Sequence, residues 1–390
     1  MKLKLSFLFF FLLIFSGHAQ NNQLSPNADI SVLTIGPGES LNDAFGHSAF
    51  RINDRTVGMD VVYGYGEYDF DTPNFYLKFA QGKLNYQMSE NSFSDFYRFY
   101  SYFNRTIDEQ VLNLSPKEKQ NLYDYLITNY KPENRKYLYD FFYDNCATRI
   151  RDVVEKDIES NVEFEKPQNF KPKTFRELIH EQTGRNNWGS FGIDLALGSV
   201  IDKKASPYEH MFLPKYIHEF FGNAKFDSDK NLVKKSTTIY KRLDKPVHKN
   251  FMFSPLMVLG LLSLLIVYIT YSDNKKNKRS KWLDIILFTT TGLIGILMLL
   301  LWFATDHTAT AQNYNLLWAF PLNILVIGQL FKSKVKAWCI KFLKLLLILL
   351  MLLVVHWIMG IQVYAIGLIP LLIALSIRYV FLISFFKKKI

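Results

Sequence analysis

Cysteine is nearly missing from this chain, with two in 390 residues. Cys146 lies in the polar first part and Cys339 in an apolar tail, which excludes a disulfide framework and makes a bridge between the two unexpected. No cysteine follows the N-terminal apolar run, so the mature chain is not expected to be a lipoprotein itself. Histidine is also sparse, with 8 in all. His180-Glu181-Gln182-Thr183-Gly184 lacks the second histidine of a zinc-protease helix, and His210 with His218 is no recognised metal spacing. No metal and no cofactor are expected. Internal repeats and low-complexity tracts are absent. Acidic residues are outnumbered, giving a net charge of +11, yet the lysines cluster beside apolar stretches. That pattern points to membrane orientation and away from nucleic acid.

What is present divides near residue 250 into a mixed polar part and a strongly apolar part, so two units are expected. Residues 1–19 carry Lys2 and Lys4, a short apolar middle, and Ser16-Gly17-His18-Ala19. This is the pattern of a secretory signal cut after Ala19, the apolar run being shorter than the ~20 residues a span needs. Residues 20–250 then form a periplasmic domain and residues 251–390 a transmembrane domain.

Apolar stretches at 252–271, 282–303, 316–331, 337–359 and 364–386 are expected to be five spans, the third being short and containing Pro321. Lys275, Lys276, Lys278, Arg279 and Lys281 fall between the first two. Lys332, Lys334 and Lys336 separate the third and fourth, and Lys387, Lys388 and Lys389 end the chain. The alternate connections, 304–315 and 360–363, carry no Lys or Arg. This alternation places the basic loops inside the cell and the polar domain outside, in a bacterial inner membrane.

Within the polar domain, residues 30–35 predict a strand, residues 47–52 a second with His47 at its start, and residues 58–66 a third, the last two forming a hairpin. Such a hairpin holds Asp60 on the strand beside His47, where a carboxylate could orient an imidazole. Glu67 and Asp69 compete for that role. Aromatics are dense from Tyr68 to Phe103; most are expected in the core, and a surface subset would suit lipid contact. Ser115-Pro116-Lys117-Glu118 starts a helix with a capping box, and residues 137–142 lead toward Cys146 in extended form. Residues 234–249 read as a basic, polar connector to the membrane.

Tyr143-Asp144-Asn145-Cys146-Ala147-Thr148-Arg149 is the focal stretch. Ile150, Val153, Val154 and Ile158 share one helical face, with Asp144 or Asn145 as N-cap and Cys146 in the first turn. A helix start favours the reactive thiolate, and His47 supplies the base of a nucleophile pair. Asn145 and Arg149, beside the nucleophile, and His307, in an outward loop, are the candidate substrate contacts.

A strand histidine followed by a helix-start cysteine resembles the circularly permuted branch of the papain-like NlpC/P60 superfamily. More narrowly, Gly36-Pro37-Gly38, Phe45-Gly46-His47-Ser48-Ala49-Phe50-Arg51, Tyr63-Gly64-Tyr65-Gly66-Glu67-Tyr68-Asp69-Phe70 and the Cys146 stretch resemble the Lnb N-terminal periplasmic-domain family. Gly192-Ile193-Asp194-Leu195-Ala196-Leu197-Gly198 and Met211-Phe212-Leu213-Pro214 are similar to its later motifs. Asp306-His307, Asn313-Tyr314-Asn315-Leu316-Leu317-Trp318 and Pro321 are similar to its membrane part. The resemblance implies an α+β fold, a permuted papain-like periplasmic domain followed by a five-helix transmembrane domain. It implies a lipoprotein N-acyltransferase, with a phospholipid as acyl donor and a diacylated lipoprotein as acceptor. A membrane-anchored cysteine peptidase or amidase acting on peptidoglycan is the alternative, and it leaves five spans unexplained.

Overall fold

The computed structural model describes residues 23–158, 160–244 and 251–388 of the protein. The expected signal segment, residues 1–19, lies outside them. The strands in chain order are β1 (Asp29–Ile35), β2 (His47–Asp54), β3 (Met59–Glu67), β4 (Asn85–Ser92), β5 (Ile107–Leu112), β6 (Lys136–Leu138), β7 (Val162–Glu163), β8 (Lys225–Phe226) and β9 (Val233–Tyr240). The helices of the polar domain are α1 (Phe75–Gln81), α2 (Phe93–Tyr102), α3 (Pro116–Tyr130), α4 (Cys146–Asp157), α5 (Phe175–Thr183), α6 (Trp188–Ala196), α7 (Pro207–His210) and α8 (Pro214–Asn223).

Seven strands pair in the order β6-β4-β3-β2-β1-β5-β9, every neighbouring pair antiparallel. Alternation along the central strands sends Ile30, Val32, Phe50, Ile52, Tyr63 and Tyr65 to one face, where α3, α4 and α8 cover them with Leu122, Ile150, Val154 and Phe220. The opposite face carries Leu33, Ile35, Ala49 and Val62 under Phe96 of α2. Both faces of β1 are therefore buried, Ser31 and Thr34 included. The predicted β2–β3 hairpin is present, and so is the Ser115 capping box that starts α3.

Residues 233–240 do not act as a connector. They form β9, which pairs with β5 at the sheet edge. Thr237, Thr238, Ile239 and Tyr240 favour a strand, and the lysines earlier in it keep an exposed edge soluble.

In the apolar part, α9 (Pro255–Lys275), α10 (Lys281–Phe303), α12 (Ala337–Ile358) and α13 (Leu368–Lys387) are the four helices long and apolar enough to cross a membrane among the described residues. The expected third span is not one continuous helix. It is a 3-10 turn at Tyr314–Leu317 followed, after Pro321, by the short helix α11 (Asn323–Leu330). This broken segment still runs the length of α10. Asn315 lies by the periplasmic domain, donating to the carbonyl of Asp194 at 2.9 Å, while the far end at Phe331 receives the Lys281 ammonium at 3.2 Å. Gly292 and Gly295 of α10 admit the broken segment: a Cβ at Gly292 would meet Ile324 at 2.8 Å, and one at Gly295 would collide with the carbonyl of Ala319. Freed backbone is tolerated at such depth where protein covers it.

At the ends remote from the periplasmic domain, fully buried Arg378 of α13 binds Asp284 of α10 at 2.7 Å and Asp273 of α9 at 2.8 Å. Sequence reading passed over this cluster, which ties three spans through matched charges.

Candidate active site

Asn145 is the residue that starts α4. Its Oδ1 accepts the N–H groups of Ala147 and Thr148 at 2.8 and 2.9 Å, and Thr148 Oγ1 returns a bond to the Asn145 N–H at 2.8 Å. Its Nδ2 donates to the carbonyls of Phe141 and Phe212 at 2.6 and 2.9 Å. Every polar group of this buried side chain is engaged inside the fold, so Asn145 holds Cys146 at a fixed helix start and has no polar atom left over for a substrate. Arg149 is likewise committed. It grips Asp144 through Nε and Nη2 at 2.5 and 2.8 Å and lies 3.8 Å over the Tyr137 ring.

Gly46 sets the position of His47. With φ of +82° and Ile35 O at 2.5 Å from where a Cβ would be, only glycine fits there. His47 then begins β2 opposite Ile35. Its ring stacks on Tyr100 of α2 at 6.3 Å, and a Cβ on Gly64 of β3 would lie 3.2 Å from its Nε2.

The next residue brings the two halves of the site together. The backbone N–H groups of Ser48, Ala147 and Cys146 itself act on the Cys146 sulfur and favour its ionised form. Arg105 supplies a positive charge that acts on both Cys146 and His47. This guanidinium is buried, donating from Nε to Gly36 O at 2.9 Å and from Nη1 to Asp43 at 3.0 Å, with Tyr100 beneath it at 4.9 Å.

Electrostatics at the site run against the thiolate expected of a helix start. Burial pushes the Cys146 thiol up, outweighing the three N–H groups and Arg105 that favour its ionised form. Burial and then Arg105 lower His47 to about 4, with Asp43 opposing them. At neutral pH the resting pair is therefore a neutral thiol and a neutral imidazole.

Asp60 does not orient His47. It pairs across the hairpin with Asn53, toward the far end of β2 and about 20 Å of strand from His47. Arg51 holds its carboxylate through two bonds of 2.7 Å. The carboxylate whose charge reaches His47 is Asp43. Neither Asp43 nor Arg105 carries a motif signal, because their relation to His47 arises only when the loop after β1, the start of β2 and the start of β5 meet. His307 sits elsewhere, on the connection after α10, with Nε2 at 3.1 Å from the carbonyl of Phe79.

That connection also docks the periplasmic domain. Asn313 donates to Leu195 O at 2.7 Å, and Gly198 to Ala309 O at 2.9 Å. Asp194, whose carbonyl receives Asn315, is held by Arg176 at 2.8 Å and by His180 at 3.0 Å. The 192–198 and 313–318 motifs thus face each other. A cleft of about 410 Å³ opens beside this junction, lined in part by Phe142, Tyr143, Lys203 and Thr308, and neither Cys146 nor His47 lines it. Among the described residues no group of His, Cys, Asp or Glu is arranged to hold a metal, and both cysteines are free.

No curated protein and no solved structure matches the chain. Two family profiles do, the Lnb N-terminal periplasmic domain over residues 18–181 and the Lnb transmembrane domain over residues 247–390. With both domains matched in order, from the strand histidine and helix-start cysteine to the membrane helices, this chain belongs to the Lnb-type family.

Proposed function

We propose that the protein is a bacterial lipoprotein N-acyltransferase with Cys146 as nucleophile and His47 as base. The observation that carries this reading is the packing of the helix that Cys146 starts against the strand that His47 starts, with buried Arg105 acting on both side chains, in a domain hydrogen-bonded to apolar helices of spanning length. Membership in a family of membrane lipoprotein-modifying enzymes supports it.

His47 takes the thiol proton as sulfur attacks an ester carbonyl of a phospholipid. The lysophospholipid oxygen leaves with that proton, and a thioester remains on Cys146. The N-terminal amine of a diacylated lipoprotein then attacks the thioester, passing its proton to His47 as the C–S bond breaks. An amide forms, and the imidazolium returns the proton to sulfur. A neutral imidazole is the state this sequence needs at its start. The N–H of Ser48 is the donor assigned to steady charge beside the sulfur, and Arg105 adds a fixed cation. His307, on the membrane side, is assigned to the lipid headgroup.

The test is to express wild type and Cys146→Ala in cells that lack lipoprotein N-acylation and read lipoprotein N-termini by mass spectrometry. A third acyl chain present only with wild type supports transfer. No added chain from a well-expressed wild type contradicts it, and released wall peptides would favour the peptidase.

A further inference from the structure

A row of aromatic rings joins the membrane side of the periplasmic domain to the site. It begins on α1, whose last turn is fixed to the connection that leaves α10. Asp306 donates its N–H to Gln81 O at 2.8 Å, and His307 lies against Phe79 O. Phe303 ends α10 only three residues earlier, so α1 stands within about 10 Å of the end of a helix long enough to cross a membrane. None of its residues is buried. Tyr76 is 79% exposed and Leu77 57%.

From Phe79 the ring centroids step to Phe75 at 6.4 Å, to Phe70 at 4.8 Å and to Tyr68 at 5.1 Å. They continue to Tyr86 at 5.4 Å and to Tyr139 at 4.4 Å. Tyr139 packs on Gly66 of β3, where a Cβ would lie 3.6 Å from its ring, and Gly64 of the same strand makes the like approach to His47 Nε2. The row therefore ends beside the imidazole.

A soluble surface rarely carries so continuous an apolar patch; Phe70 in the middle of it is 65% exposed. The element it starts from is hydrogen-bonded to the connection just beyond the outer end of α10, which sets that patch near the depth where aromatic side chains meet a bilayer. An acyl chain needs contiguous apolar surface and no directional polar partner, and the row offers that surface.

We propose that this row is the path by which one acyl chain of a membrane phospholipid reaches Cys146, with α1 seated in the outer bilayer interface at Tyr76 and Leu77. The proposal rests on the acyl-transfer reading above. Two measurements test its two halves. First, a nitroxide is placed by Tyr76→Cys in a Cys146→Ala/Cys339→Ala background, and its relaxation by oxygen and by a water-soluble nickel chelate is compared in phospholipid nanodiscs. Preference for oxygen is expected; preference for the chelate overturns the seating of α1.

Second, acylation of Cys146 from nanodisc phospholipid is followed by intact mass for Phe70→Ser/Phe75→Ser. The expected result is at least a tenfold slowing, with melting temperature and iodoacetamide labelling of Cys146 held, and recovery in Phe70→Leu/Phe75→Leu. Should the double variant fail to fold, Phe70→Ser alone, at an exposed position, is expected to slow acylation severalfold. A folded variant acylated at the wild-type rate overturns the path alone. A wild type that is never acylated overturns the acyl-transfer reading and the path with it, whatever depth the nitroxide reports.

Discussion

The backbone N–H of Ser48, the residue directly after His47, acts on the sulfur of Cys146 and favours its ionised form. A strand start and a helix start, about a hundred residues apart in the chain, thus meet where the helix packs on the strand. The pair this creates is uncharged at rest, because burial outweighs both the helix terminus and Arg105.

That balance predicts the pH response. A base must be unprotonated to act, so kcat/KM for acyl transfer should hold as pH falls through 6 and drop only as it nears about 4, where His47 takes up a proton. Thiol labelling should behave oppositely to that of an activated cysteine, its iodoacetamide rate still climbing at pH values above the ordinary thiol range. A labelling midpoint near neutrality would show a resting ion pair and contradict this electrostatic account.

Asp60 and Asp43 separate in a direct comparison. Asp60→Asn loosens only its bonds to Arg51, so acyl transfer should change less than about threefold and stability by about 1 kcal/mol or less. Asp43→Asn removes the charge that supports protonation of His47 and the partner of Arg105. The acid limb of its pH profile should move to lower pH. An Asp60→Asn enzyme with the larger defect would restore Asp60 to the site.

Asn145→Ala strips the cap and both carbonyl ties from α4. The cap alone is worth about 1 kcal/mol, and the two stranded carbonyls add about 1–3 kcal/mol more. Asn145→Asp keeps the cap oxygen and loses the Nδ2 donor, so its melting temperature should fall between wild type and Asn145→Ala. Equal melting of all three proteins would remove the positioning role.

The junction between the domains gives a further prediction. Asn315→Ala breaks the bond to the Asp194 carbonyl and frees the Trp318 indole, which Asn315 Oδ1 accepts at 2.9 Å. Limited proteolysis should then cut the 304–315 connection faster, while the Cys146 labelling rate stays within about twofold. Gly295→Leu should fail sooner, as loss of folded protein in detergent, because no space exists against Ala319. An intact, protease-resistant Asn315→Ala protein would show that the docking rests on other contacts.

Much of this arrangement was legible in the sequence because it is local. Alternation through β2, the hairpin it makes with β3, and an Asx residue before a helical apolar stripe each act within a few residues, and each formed as expected. Asp60 misled because a hairpin fixes which strands are neighbours, while a side chain's partner depends on register, and register set it opposite Asn53 beside Arg51. The thiol's ionisation was hidden for a related reason. Helix-start effects can be read from order alone, but the burial that defeats them comes from segments folding over the site, among them Tyr139 and Tyr100. Pro321 did announce a weak third span, and the glycines of α10 that receive it became meaningful only with the packing known.

The most direct measurement is the intact mass of purified protein after incubation with phospholipid alone, before any acceptor is added. The account predicts a gain of one acyl chain on Cys146, released by hydroxylamine and discharged by a diacylated lipoprotein, absent from Cys146→Ala and slowed at least a hundredfold in His47→Ala. Transfer of an acyl chain to the lipoprotein by Cys146→Ala would contradict it.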